Sequence, residues 1–358
     1  LKRPFFNEFF SESGAMKLSF KEDNGQIDNL IAHLIELAGD IRRPRLVREM
    51  ILATLKAGQE DDGRVDLKLM NTSLKEMRYT AKIFRDYRHV KKVTVFGSAR
   101  TKPSESIYKM ARLLGQKLAE SGYMVITGGG PGIMQAVNEG AGPEHSFGVN
   151  IRLPFEQKPN PVIDGNSKII LYKYFFNRKV AFLKESDAAI VFPGGFGTLD
   201  EGMETLTLVQ TGKRNPLPLI LFDEPGGTYW SNWFDFVKKQ LLAKGYIGKS
   251  DLKLFESVDA IADAVERINR FYRRYHSLRY IGNQLLIRLK REIDARSIEE
   301  LKLNFSDILS AGGSIFLSGP FPEEMDEPEI GHLPRIVMDF NRHDFGRLRE
   351  FIDAVNRC

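Results

Sequence analysis

The chain predicts an α/β fold: a Rossmann-like, doubly wound parallel sheet with an N-terminal helical extension and a small C-terminal α+β appendage. Three observations carry this. Short β-rich apolar runs alternate with amphipathic helical stretches from about residue 93 to residue 275, the pattern of a parallel sheet covered on both faces. Three of those runs end in glycine turns, at Gly97-Ser98-Ala99-Arg100, Gly128-Gly129-Gly130-Pro131-Gly132 and Pro193-Gly194-Gly195-Phe196-Gly197-Thr198. With 358 residues, 42% hydrophobic and 28% charged, the chain is long enough to bury a core and to hold two or three domains.

Residues 1–90 read as an N-terminal arm and helical extension. The first 25 residues are mixed in character, end at Asp23-Asn24-Gly25, and are expected to be only partly ordered. Residues 27–56 place Leu30, Ile31, Leu34, Ile35 and Leu37 at helical spacing, until the polar stretch from Gly58 to Gly63 breaks the pattern. Residues 67–87 repeat it with Leu74, Met77, Ala81 and Phe84. Such stripes are packing surfaces first.

Residues 91–275 form the α/β unit and the catalytic candidate. Strands are expected at 93–96, 124–127, 147–151, 168–171, 188–192 and 218–222, with helices at 107–121, 133–141, 176–185, 200–211, 230–244 and 258–275. Residues 276–358 form the appendage, with helices at 283–293 and 298–309, strands at 314–318 and 335–340, and a final helix. Its loop 321–329 holds Glu323, Glu324, Asp326, Glu327 and Glu329, which either bind a cation or lie solvated.

Composition narrows the partners. A net charge of +5 and a pI near 9.0 permit anionic ligands, yet Lys and Arg are spread along the chain, so nucleic acid is not indicated. The single cysteine, Cys358, makes no intramolecular disulfide and no cysteine metal cluster, which fits a reducing cytoplasm. No apolar run approaches the roughly 18 residues of a membrane span, and the start lacks a signal-peptide core.

The turn from Pro193 to Thr198 follows the apolar run 188–192 and opens a helical stretch. That is an anion site in outline. Glycine lets the backbone approach a phosphate, the first helical N–H groups lack intrahelical partners, and the helix dipole adds positive charge there. Thr198 adds a hydroxyl, and Glu201 sets a carboxylate about one turn from the same anion. A pure phosphate clamp gains nothing from that carboxylate, so it points to chemistry on a phosphorylated substrate. No Gly-Lys-Ser/Thr follows any of the turns, which argues against a P-loop ATPase.

In order and spacing, Gly128-Gly129-Gly130-Pro131-Gly132-Ile133-Met134, then Asn177-Arg178-Lys179, then the nine residues from Pro193 to Glu201 resemble the LONELY GUY family of nucleoside 5′-monophosphate phosphoribohydrolases, long mislabelled as lysine decarboxylases. The resemblance covers about half the chain, residues 93–275, and leaves both flanks outside. It implies hydrolysis of the N-glycosidic bond of a nucleoside 5′-monophosphate to free base and ribose 5-phosphate. In the family, plant members release active cytokinin and many bacterial ones act on AMP, so AMP or an N6-modified AMP is the expected substrate. The resemblance also implies a homodimer or higher homo-oligomer built through the core.

Roles then follow residue by residue. Such a reaction passes through an oxocarbenium-like ribosyl centre, which a carboxylate stabilises while orienting or deprotonating water; Glu201 fits that task. Arg178 offers a planar fork for phosphate or ribose, whereas Lys179, about 100° further round a helix, diverges from it. The family pattern puts phosphate at Gly194, Gly195, Gly197 and Thr198, with Gly97, Ser98, Gly129, Gly130 and Met134 near the nucleoside. Glu204 is a secondary candidate, Asp200 is expected to face away, and His145 reads as an exposed loop residue. Neither a metal nor a cofactor is called for. Two rival readings stand beside this one: a nucleotide-binding regulator that uses the same pocket without turnover, and a pyridoxal-phosphate decarboxylase, for which no Schiff-base lysine is evident.

Overall fold

The computed structural model describes residues 20, 25–60, 63–153 and 158–358. The expected N-terminal arm lies almost wholly outside the described residues. The chain divides into two compact units, 1–75 and 76–358.

In the first unit, α1 (Gln26–Ala38) and α2 (Pro44–Glu60) replace the single helix expected over 27–56, and α3 (Arg64–Arg85) begins. The break is local chemistry: Gly39 and Asp40 both take positive φ, and Pro44 restricts the residue before it. Arg48 holds the two helices together with a fork on Asp28, at 2.8 and 3.0 Å. Ile31 and Leu52 are buried, while Leu30, Leu34 and Leu37 of the expected packing stripe remain exposed.

The second unit is built on seven parallel strands: β1 (Lys92–Phe96), β2 (Met124–Thr127), β3 (Ser146–Ile151), β4 (Ile169–Tyr172), β5 (Ala188–Val191), β6 (Leu219–Phe222) and β7 (Glu256–Val258). Their order, β4-β3-β2-β1-β5-β6-β7, makes the sheet doubly wound. The chain runs outward from β1 to β4, then returns to lay β5 against the other edge of β1. A crevice therefore opens beyond the carboxyl ends of β1 and β5, where ligands bind in such sheets. Short runs of Val, Ile and Leu suit strands buried on both sides.

On one face the sheet packs against α4 (Ser106–Glu120), α5 (Ile133–Ala141) and α9 (Ile261–Phe271), with Val93, Val95 and Val125 meeting Leu114, Val137 and Ile268 in one cluster. On the other face, Phe96, Ile126 and Phe147 meet Phe84 of α3, Phe182 of α6 (Phe175–Glu185), Val209 of α7 (Phe196–Gln210) and Trp230 of α8 (Tyr229–Phe236). The helix expected at 230–244 passes after Phe236 into a wider π turn, Val237–Leu242. That expected at 258–275 is shorter, because β7 precedes it and Tyr275 already belongs to a new strand.

The appendage is a four-stranded antiparallel sheet, order β10-β11-β9-β8, made of β8 (Tyr275–Ile281), β9 (Gln284–Leu289), β10 (Ile315–Ser318) and β11 (Arg335–Met338), with α10 (Ala295–Asn304) and α11 (Phe345–Arg357). The helix expected at 283–293 is in fact β9. Gly282, at φ +57°, and Asn283 form a two-residue turn that pairs Ile281 with Gln284, and cross-strand bonding overrides a run whose apolar residues fit either period. The acidic loop is neither loose nor solvated at its centre. Glu324 is buried between Arg288 and Arg335, and Arg279 holds Asp326 and Glu327 at 2.7 and 2.9 Å. Among the described residues, no helix is long and apolar enough to cross a membrane.

Candidate active site

The turn after β5 is the floor of the crevice. Helix α7 starts at Phe196, earlier than expected, with Gly195 as its N-cap and no side-chain cap. The N–H groups of Phe196 and Gly197 have no intrahelical partner, the arrangement that attracts an anion, while Thr198 N–H already donates to Gly195 O at 3.0 Å. A Cβ on Gly194 would stand 2.2 Å from Thr198 Oγ1 and 3.0 Å from Ser98 N, so only glycine lets the turns after β1 and β5 close on each other. Ser98 N–H donates to Pro193 O at 3.1 Å, and Tyr229 OH donates to Gly194 O at 2.7 Å, which locks that approach. By contrast, a Cβ on Gly195 or Gly197 would meet nothing within 4 Å: these two glycines border open space.

That space is a cavity of about 850 Å³ beside β1 and β5. Gly97, Ser98, Met134, Arg178, Gly194, Gly195, Gly197, Thr198 and Glu201 all line it. Gly129 and Gly130 lie behind the wall, buried, their carbonyls accepting from Asn160 N at 2.8 Å and Asn160 Nδ2 at 3.1 Å. Gly128 reaches the cavity instead, and a Cβ there would come within 2.5 Å of Arg178 Nη2 and 2.7 Å of Met134 Sδ. The glycine leaves room for the guanidinium.

Arg178 projects from α6, with Nε donating to Val149 O at 2.9 Å and its guanidinium carbon 5.1 Å from the centre of the Phe182 ring. Burial lowers its pKa and Glu201 opposes that effect; an arginine stays charged regardless. Glu201, in the second turn of α7, is 8% exposed. Burial raises its pKa above the ordinary carboxylate value, Lys179 and Arg178 pull it down, and Glu204 and Asp200 push it up.

Lys179 does not diverge from this group as its helical position suggests. Its Nζ stands 3.6 Å from Glu201, 2.7 Å from Asp200 and 2.8 Å from Glu204, behind the cavity wall. Asp200, expected to face away, lines the cavity edge and shares this ammonium. Its length lets one lysine reach three carboxylates along one side of α7.

With that geometry in view, the comparisons are specific. A family model described as "Possible lysine decarboxylase" matches residues 133–268. Two cytokinin riboside 5′-monophosphate phosphoribohydrolases of Arabidopsis thaliana, LOG7 and LOG1, are 26% and 27% identical to the chain over 185 and 194 residues, covering 51% and 52% of it and 82% and 87% of themselves. About half of the chain is thus similar, at modest identity, to phosphoribohydrolases of the LONELY GUY family. Among solved structures, a molybdenum cofactor binding protein from Rippkaea orientalis covers 50% of the chain and 96% of itself at 21% identity and a TM-score of 0.37, a likeness that says nothing of activity.

No lysine is among the described residues that line the cavity, so the decarboxylase description finds no Schiff-base residue there. A Schiff-base lysine must shed its proton to attack a carbonyl, and burial does work against the charge of Lys179. Yet its hydrogen bonds to Asp200 and Glu204, with the nearby Glu201, raise its pKa on balance and keep it an ammonium.

Sequence reasoning missed Arg100, Phe175 and Tyr229, all of which line the cavity. Arg100 was within reach, since it ends the first glycine turn. Asn160 was not: it braces the second turn from a loop about thirty residues away, with Nδ2 also 3.0 Å from Asn138 Oδ1. A second cavity, about 870 Å³ beside α10 and α11, is as large, but Lys253 and Arg347 there are paired with Glu350 at 3.3 and 2.9 Å. Size alone does not choose the site.

Proposed function

We propose that the protein hydrolyses the N-glycosidic bond of a nucleoside 5′-monophosphate, AMP or an N6-modified AMP, giving free base and ribose 5-phosphate. One observation carries this reading: a buried carboxylate with an elevated pKa, Glu201, faces the same cavity as the uncapped helix start at Gly195. The 5′-phosphate lies on the N–H groups from Gly194 to Gly197 and the Thr198 hydroxyl, with the guanidinium of Arg178 alongside. As the bond from C1′ to the base nitrogen breaks, its electron pair leaves with the base and positive charge grows on the ribosyl centre. The Glu201 carboxylate stabilises that charge and takes a proton from the water whose oxygen bonds to C1′. The departing base takes a proton from solvent, Glu201 returns its own proton to solvent, and the sugar keeps its phosphate. Met134 and Phe175 supply apolar surface for the base. The two Arabidopsis relatives are named for this reaction on cytokinin riboside 5′-monophosphates.

Incubation with AMP tests the reading directly: adenine is expected to accumulate, and adenosine, lacking the phosphate, to be a very poor substrate. AMP that binds and stays whole would instead make the protein a nucleotide-binding regulator. Equal kcat/KM for AMP and adenosine would remove the phosphate site from the mechanism.

A further inference from the structure

Helix α3 lies outside the residues that match the LONELY GUY family, yet from Glu76 onward it runs beside β4 and the start of α6. Glu76 and Thr80, one turn apart, share a face. Glu76 Oε1 accepts Lys173 N–H at 2.6 Å and Oε2 accepts Asn177 Nδ2 at 2.6 Å, while the Thr80 hydroxyl bonds to Tyr172 OH. Further along, Phe84 stacks on Phe147 of β3 with ring centroids 4.4 Å apart. Helix α6 has no acidic residue in its first turn and no side-chain cap of its own. Glu76 thus brings a negative charge to its positive end from another element. Asn177, the residue it grips, is 2% exposed and directly precedes Arg178 and Lys179.

We propose that Glu76 is a positioning residue for hydrolysis: by fixing the first turn of α6 it aims Arg178 at the cavity and Lys179 at Glu201. The inference rests on the function proposed above. Arg178 and Lys179 follow Asn177 on one rigid helix, so a shift at its first turn reaches both. The charged groups around Glu201 are Arg178 and Lys179 from α6 and Asp200 and Glu204 from α7. Loosening α6 withdraws both cations and leaves both like charges.

The test compares the full-length wild type with Glu76→Ala and Glu76→Gln in adenine release from AMP, its pH profile, and thermal melting. Glu76→Ala is expected to lose about tenfold or more in kcat, and the acid limb of its profile to move to higher pH, because Glu201 loses the cations that keep it ionised. Glutamine keeps a bond to each partner once the Asn177 amide turns over: its oxygen accepts Lys173 N–H, and its amide donates to Asn177 Oδ1, which is buried and unpartnered in the wild type. Glu76→Gln is therefore expected within about threefold of wild type, the cost of an exposed-edge charge alone. A purely structural Glu76 would lower the melting temperature of the alanine variant and leave the acid limb in place. Should Glu76→Ala not fold, Glu76→Asp, one methylene short of bridging both donors, carries the same readouts with the same expected direction. Wild-type kcat and acid limb in the alanine or aspartate variant, or glutamine as impaired as alanine, overturns the role of Glu76. A wild type that releases no base from any nucleoside monophosphate overturns the hydrolysis reading itself.

Discussion

Two buried glutamates, one beside each sheet of the second unit, meet opposite electrostatic fates. Glu324, beneath the antiparallel sheet, is 3% exposed. Its oxygens accept from Arg288 Nε at 2.8 Å, Arg335 Nε at 2.8 Å and Phe321 N–H at 2.9 Å. Burial alone would raise its pKa, but these donors outweigh it and hold the group down to about 2. Glu201 is 8% exposed and also has two cations nearby, yet the Lys179 ammonium stands 3.6 Å off and is committed to Asp200 and Glu204. Its pKa goes up. What separates the two is directed hydrogen bonds to the carboxylate rather than the number of charges around it. Where the donors are complete, the ion cluster is structural; where they are not, a carboxylate is left able to take a proton or face a developing cation.

The largest effect tests the structural side. Glu324→Ala takes the carboxylate from buried Arg335 and one of two from buried Arg288, which keeps Glu327 at 2.6 Å, and is expected to cost about 3–5 kcal/mol, read as a fall in the urea midpoint. Turnover by the protein that remains folded should be unchanged. A loss under about 1 kcal/mol, the value typical of a surface pair, would mean that the cluster is hydrated in solution and the contrast with Glu201 is false.

Glu201→Gln is the converse. It is expected to lower kcat by about 10²-fold or more, while melting stays level or rises, since an incompletely paired charge has left the interior. Near wild-type kcat on every nucleotide tried would place the chemistry elsewhere; a collapse in stability would make Glu201 a structural residue like Glu324.

The smallest and most discriminating effect is in pH. The proposed hydrolysis uses the Glu201 carboxylate, whose raised pKa predicts that activity falls away, as pH drops, at a value above the ordinary 4.5. Glu324, depressed when folded, contributes stability that is fully present above 4.5 and lost only as pH falls toward about 2. Activity should therefore vanish while the near-ultraviolet circular dichroism of the folded state is intact. Coincident loss of the two would show that one unfolding transition controls both.

Much of this was legible in the chain. The six strands expected from 93 to 222 are present within a residue or so at each end, because each is a short apolar run punctuated by glycine or proline, a signal carried by neighbours in sequence. The three glycine turns are legible for the same reason, and Arg178 and Glu201 through the family resemblance. The departures have local causes too: Gly39 and Asp40 turn the backbone inside a stretch of helical spacing, and the Gly282-Asn283 turn makes a hairpin of leucines that also fit a helical period.

The sequence by itself determined the class of fold and the glycine turns, which follow from residue type and spacing over a few positions, and the family resemblance picked out Arg178 and Glu201, which line one cavity. Only the tertiary structure decided how those groups are charged and aimed. Lys179 meets Glu204 across 25 residues, Asn160 braces Gly130 across 30, and Glu76 grips Asn177 across 101. Desolvation and hydrogen bonding, which send Glu201 and Glu324 in opposite directions, depend on the groups that surround a carboxylate in space, and chain order does not record them.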